Sequence, residues 1–232
     1  SNAFQFGMHV DWQVLRQRTG SLTLTAGAIL HNSDTNILSL PFTHDNIREL
    51  SAGVRYDWRD FMEGYNLAQL VLSQGIAGIL GGSHTGDADL SRAAGQADYT
   101  KAEVSLMRTQ PIGRDFTLFG ALTGQLSSGP LLSSEEFGYG GSFIGRAYDA
   151  SEMTGDSGAA MLLELRYRPL ELKDIGMIEP FVFTDYGALW NRDAGEPPVV
   201  NGASLGLGAR LVTAQDIDAE MLFAQPLLRS HQ

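Results

Sequence analysis

Few side chains in this chain of 232 residues stand where a reaction would need them. Gly155-Asp156-Ser157-Gly158 has the look of a serine-nucleophile turn. A serine, however, acts only beside a positioned histidine that is itself oriented by a buried acid. The five histidines, His9, His31, His44, His84 and His231, are scattered and none stands in a partner motif. The tetrad is therefore read as a turn. No two histidines approach ligand spacing. Cysteine is absent, which excludes thiolate ligation, a cysteine nucleophile and disulfides. Gly82-Ser83-His84-Thr85-Gly86-Asp87-Ala88-Asp89 carries carboxylates that can face a calcium ion, but a solvated hairpin loop is the simpler reading. No metal, no cofactor and no catalytic residue is expected. What remains is charge set among apolar residues: Arg146, Asp185, and the pairs Glu164 and Arg166, Lys101 and Glu103, Asp218 and Glu220.

The overall charge narrows the partners. Lys+Arg number 16 against 27 Asp+Glu, a formal charge of −11 with pI about 4.8. No basic face is left to neutralise phosphates, which argues against nucleic acid. Glycine is frequent, 27 residues, and charged residues are only 19%. No run of eighteen apolar residues occurs, which excludes a transmembrane helix but not a membrane β-barrel, whose strands need only about ten residues with alternate positions facing lipid. Ser1-Asn2-Ala3 reads as an expression-vector remnant with no signal peptide after it. Residues 4–232 are accordingly expected to be an excised part of a larger protein.

The elements that must position these charges show period two. On Glu49 to Trp58, Leu50, Ala52, Val54, Tyr56 and Trp58 share one face and polar residues the other. Gly202 to Leu211, Leu22 to Leu30 and Ala159 to Tyr167 alternate as clearly. Weaker alternation marks Phe4 to Asp11, Tyr65 to Gln74, Tyr99 to Thr109, Phe116 to Leu126, Met177 to Trp190 and Ile217 to Pro226. These ten candidate strands exceed the five or six residues or so usual in soluble proteins. Tyr56, Trp58, Tyr167, Tyr186 and Trp190 sit near strand ends on apolar faces, where a membrane barrel places its girdles. The fold class expected is all-β, an antiparallel transmembrane β-barrel with about ten strands present. On pattern alone a soluble sandwich with these aromatics in its core stays open. Pro180 is expected to cause a local bulge or irregularity. One connection, from about 127 to 156, is too long for a plain turn and is expected to be functional.

That connection reads Gly138-Tyr139-Gly140-Gly141-Ser142-Phe143-Ile144-Gly145-Arg146-Ala147-Tyr148-Asp149, then Gly155-Asp156-Ser157-Gly158, with Phe183-Thr184-Asp185-Tyr186-Gly187 one hairpin later. It resembles the signature loop of the Omp85 superfamily and, within it, the two-partner secretion transporters (TpsB, the hemolysin-activator family). The resemblance implies a sixteen-strand barrel, of which this chain supplies about the sixth strand to the fifteenth. Ala224-Gln225-Pro226-Leu227 looks like a stretch late in that barrel, so the closing strand, the early strands and the periplasmic POTRA domains are expected to lie elsewhere. It implies that the loop folds into the lumen, where Arg146 pairs with Asp185. Tyr148 and Phe183 pack beside them, Gly140 and Gly141 let the loop bend, Gly187 closes the second motif and Asp156 forms the following turn. Glu164 and Arg166 become lumen charges with an expected role in gating or conductance. Gly145 and Ala147 depart from the family pattern, which has a β-branched residue before the arginine and glycine after it. Alanine disfavours the positive φ that glycine permits, so the tip's fine geometry is expected to differ.

The implied function is an outer-membrane pore in a Gram-negative bacterium, passing a large unfolded exoprotein of hemolysin or adhesin type to the surface without ATP. The implied partners are that exoprotein and outer-membrane lipid, with no nucleic acid. The rival within the superfamily is a factor that inserts other barrels into the membrane.

Overall fold

An alternating strand hides its apolar face only in company, because each backbone must pair along both edges. In the computed structural model, which describes residues 2–37, 40–173, 176–213 and 218–228, neighbouring strands do this in sequence order. They are β1 (Asn2–Gln17), β2 (Gly20–Ile37), β3 (Leu40–Arg59), β4 (Tyr65–Gly75), β5 (Thr100–Ile112), β6 (Phe116–Ser127), β7 (Phe137–Tyr139), β8 (Met153–Gly155), β9 (Ser157–Tyr167), β10 (Leu170–Leu172), β11 (Gly176–Trp190), β12 (Val199–Thr213) and β13 (Asp218–Pro226). The main sheet runs β1-β2-β3-β4-β5-β6-β9-β11-β12-β13, with β10 added to β11, and β7 and β8 form a separate two-stranded piece. Every ladder is antiparallel. Among the described residues β1 and β13 do not pair with each other, so the sheet is open. The ten strands of the main path are the ten expected from alternation. Ile217, the expected start of the last, lies outside the described residues.

The two faces differ sharply. On β1, an edge strand exposed on both faces, Phe4, Phe6, Met8, Val10 and Trp12 form an apolar row opposite Gln5, Gly7, His9 and Asp11, with Val10 at 70% and Trp12 at 65% exposed. Leu70 and Leu72, Met161 and Leu163, Leu205 and Leu207 continue this outer band along β4, β9 and β12. Tyr56 and Trp58 stack on it, ring centroids 4.9 Å apart. No second sheet covers the outer band among the described residues. The aromatics therefore line the outside of a single wall, and the sandwich with an aromatic core is set aside. The inner face carries the polar partners and two buried apolar clusters, one around Tyr139, Leu162 and Phe183, the other around Ile47, Leu90, Tyr99, Leu131 and Leu132.

Three departures from the sequence reading have physical causes. First, β2 and β3 are 18 and 20 residues long. The added stretch, His31-Asn32-Ser33-Asp34 paired with His44-Asp45-Asn46-Ile47, is largely polar, so no alternation marks it. Second, the irregularity expected at Pro180 takes the form of an interrupted edge and not of a bulge. The ladder between β11 and β12 runs unbroken through Pro180 opposite Ala209. On the other edge, pairing to β9 begins at Phe181 and pairing to β10 ends at Ile178, so Pro180 falls in a gap between partners where its missing N–H costs no ladder bond. Third, a second long connection, residues 76–99 between β4 and β5, folds onto the inner face and buries Leu90, Arg92 and Tyr99 there, while 84–89 stay exposed.

Candidate functional site

The inner faces of β9, β11 and β12 meet in fixed register. Asp185 stands opposite Leu162 and Ser204, Phe183 opposite Glu164 and Gly206, and Phe181 opposite Arg166 and Gly208. Period two then repeats the pattern: Gly202, Ser204, Gly206 and Gly208 make a smooth groove along β12. Into it settles the tip of the long connection. A Cβ at Gly187 or at Gly202 would fall inside the ring of Tyr139, and one at Gly206 inside that of Phe183. Glycine is required at these places by close approach.

The tip turns on three glycines with positive φ, Gly140 (121°), Gly141 (119°) and Gly145 (79°). A Cβ at Gly145 would stand 2.7 Å from the Gly140 Cα. The departure noted in the sequence is thereby explained: in this chain the left-handed residue precedes the arginine, and Ala147 has no need of positive φ. The turn is closed by Gly141 N–H to the Tyr148 carbonyl (3.2 Å) and Tyr148 N–H to that of Gly145 (2.9 Å).

Arg146 is delivered to the wall with its side chain only 5% exposed. Its guanidinium does not pair with Asp185, contrary to the expectation. Nη1 donates to Glu164 Oε2 at 2.5 Å, and only the Arg146 backbone N–H reaches Asp185, at 3.2 Å. The cause is geometric. The guanidinium lies over the Phe183 ring, 4.6 Å from its centroid, and register sets Glu164 directly beside that ring. Asp185 Oδ1 is meanwhile occupied by the hydroxyls of Tyr139 (2.7 Å) and Ser204 (2.6 Å).

Glu164 is wholly buried and is the centre of the site. Besides Arg146 it accepts from Arg166 Nε (2.7 Å) and from Arg210 Nη1 and Nη2 (2.8 and 3.2 Å). Arg210 reaches on to Glu179 (3.3 Å) and Glu220 (2.6 Å). Three arginines thus share three carboxylates, an arrangement that holds in a poorly solvated place because every charge is matched. Arg166 also lies 4.7 Å over the ring of Phe119. Tyr148 packs beside Tyr139 (5.6 Å between centroids); its hydroxyl accepts the Ala203 N–H (3.2 Å) and stands within reach of two carbonyls, those of Ala203 (3.0 Å) and Leu228, for its one proton. Asp156, fully buried at the loop's far end, takes N–H groups from Leu131 and Arg192, both at 2.7 Å.

Of the residues singled out in the sequence, Arg146, Asp185, Tyr148, Phe183, Gly140, Gly141, Gly187, Glu164 and Arg166 come together here, while Asp156 stands apart at the loop root. Tyr139, Ser204 and Arg210 were not foreseen. The run of small residues on the inner face of β12 was the one available sign of Tyr139's seat. Among the described residues no group of side chains could hold a metal ion. The arrangement holds and orients a segment of the chain against the wall.

A single antiparallel wall, apolar outside and polar inside, with a long connection folded onto the inner face, has the build of part of a membrane β-barrel. The model of the haemolysin secretion/activation proteins ShlB/FhaC/HecB matches residues 1–209, and the chain belongs to that family. It is 28% identical over 200 residues to the outer membrane transporter CdiB of Dickeya dadantii (strain 3937), which covers 86% of the chain and 33% of that protein. Its fold is similar to CdiB from Escherichia coli (TM-score 0.81, 17% identity, 97% of this chain and 42% of that one) and to CdiB from Acinetobacter baumannii (TM-score 0.72, 13% identity, 99% and 39%). The chain spans about a third of the length of the curated relative it matches. The family is one of outer-membrane transporters, and the outer membrane of a Gram-negative bacterium is where this barrel wall belongs.

Proposed function

We propose that the protein containing this wall carries a large exoprotein, of hemolysin or adhesin type, through its lumen to the cell surface in two-partner secretion. The observation that carries the reading is the long connection of a ShlB/FhaC/HecB-family chain held on the inner face by Arg146. The loop occupies the path that a cargo would take, so transport requires it to shift, and Arg146 with Glu164 and Asp185 sets its working position. Lipid meets the outer band of Phe4, Val10, Leu205 and their neighbours, because apolar side chains at this exposure cost free energy in water. The long connections face the cell exterior and the short turns at 18–19, 60–64 and 113–115 face the periplasm. No catalytic step is involved. The exoprotein enters unfolded, and its folding outside makes passage one-way without ATP.

The test is genetic. Deletion of the full-length gene in its host should remove one or two very large proteins from the culture supernatant. Wild type should restore them and Arg146→Ala should do so poorly. Broad loss of unrelated outer-membrane proteins would overturn export in favour of barrel insertion.

A further inference from the structure

Away from the Arg146 site, at the loop end of the sheet, three separate connections meet on one buried guanidinium. Arg92 lies in the 76–99 connection, its side chain 7% exposed. Its Nη1 donates to the Leu131 carbonyl (2.7 Å), near the start of the long loop, and to Asp156 Oδ1 (2.6 Å), at the loop's end. Nε and Nη2 donate as a fork to Glu196 (3.1 and 2.9 Å), in the connection between β11 and β12. Glu136 Oε1 is buried without a hydrogen-bond partner, 3.4 Å from Nη1. Leu90, Tyr99, Leu131 and Leu132 close over the cluster's flank. A planar guanidinium spends its donors at fixed angles, so one that holds both ends of a loop and a third segment fixes their mutual placement.

The structure assigns Arg92 as a positioning residue for transport: it pins both ends of the long loop to the two neighbouring connections, keeps the arginine tip on the wall, and must let go when cargo passes. This rests on the transport reading in taking the loop as the element that clears the lumen. It differs from the Arg146 contact in kind. Arg146 joins the loop to the barrel wall, whereas Arg92 joins loops to one another, so that they leave together or stay together.

The test uses the full-length protein, in planar bilayers for channel opening and in intact cells for cleavage of the loop by added protease. Arg92→Ala should raise open-state occupancy by about tenfold, as expected for the loss of a charge-assisted bond, and should expose the loop to protease while heat-modifiable migration shows an intact barrel. Arg92→Lys, which keeps the charge and loses the fork, should fall between. Glu196→Gln, at a partly exposed residue, should shift both readouts the same way by less. An inserted Arg92→Ala barrel with wild-type opening and protection overturns the assignment. If that variant fails to insert, Arg92→Lys and Glu196→Gln decide it: more opening in both supports the assignment, and wild-type behaviour in both overturns it. Secretion by the wild type, measured alongside, is a separate result. Its absence undoes the transport reading, while the protease arm still decides whether Arg92 holds the loop.

Discussion

The tip and the root of the long loop are held to different parts of the molecule. The tip, residues 139–148, is held on the wall: Tyr139 and Ile144 are buried in the apolar cluster with Leu162, Phe183 and Leu189, and directional bonds run to Glu164 and Asp185. The root, residues 128–136, meets the 76–99 connection, where Leu131 and Leu132 pack with Leu90 and Tyr99 and Arg92 bonds both Leu131 and Asp156. Both stretches resist piecemeal removal, since each buried side chain exposed costs ~1.5–3 kcal/mol, but they do so on different partners. The contrast teaches that one loop can be released in two stages, the tip from the wall and the root from its neighbouring connection.

The largest effect should come from Glu164→Gln. It leaves Arg146, Arg166 and Arg210 around an amide, and breaking a buried charge cluster costs roughly 3–5 kcal/mol. Secretion should fall more than tenfold and the tip should become protease-sensitive, while the root stays protected. Equal exposure of the root would erase the distinction between the two regions. Gly187→Val should come next. Its side chain claims the space of the Tyr139 ring, and overpacking of this kind costs about 1–3 kcal/mol. The expected reading is a tip displaced in crosslinking experiments, with the barrel still migrating as folded.

The smallest effect sharpens the root. Glu136 faces Arg92, Asp156, Glu196 and the Thr154 hydroxyl, and burial pushes its carboxyl up to about 7 against the pull of Arg92. A raised value means that protonation favours the folded root. This contribution is fully present below 4.5 and is lost as pH rises through about 7. Asp156 runs the other way. Burial alone would raise it, but bonds from Arg92, Leu131 and Arg192 outweigh burial and lower it, so its contribution is lost as pH falls below the ordinary 3.8. Protection of the amides at residues 128–136, corrected for the base-catalysed intrinsic exchange rate, should therefore fall a few-fold between pH values of about 5 and 7, and Glu136→Gln should flatten that slope.

The strands were legible in the sequence wherever one face was apolar, as on Glu49 to Trp58, because lipid-side burial imposes period two on the residues themselves. His31 to Asp34 carried no such mark, being polar on both sides, so the outer part of β2 and β3 went unseen. The motif residues of the tip were legible through family resemblance. The partner of Arg146 was not, because the choice between Glu164 and Asp185 is made by the register of β9 on β11 and by two hydroxyls arriving from Tyr139 and Ser204. Arg92 left no trace for a plainer reason. Its partners Leu131, Asp156 and Glu196 lie 39, 64 and 104 residues away, and contacts between loops follow no period.

The triple pairing of Glu164 bears on what happens after release. With Arg146 present, three cations face Glu164, Glu179 and Glu220; once it departs, Arg166 and Arg210 remain bonded to Glu164 and the patch carries one uncompensated negative charge. Two of the three cations on Glu164 thus belong to the strands themselves, and the residual negative charge attracts a guanidinium that comes within reach. The seat is built without the loop and favours the loop's return to it.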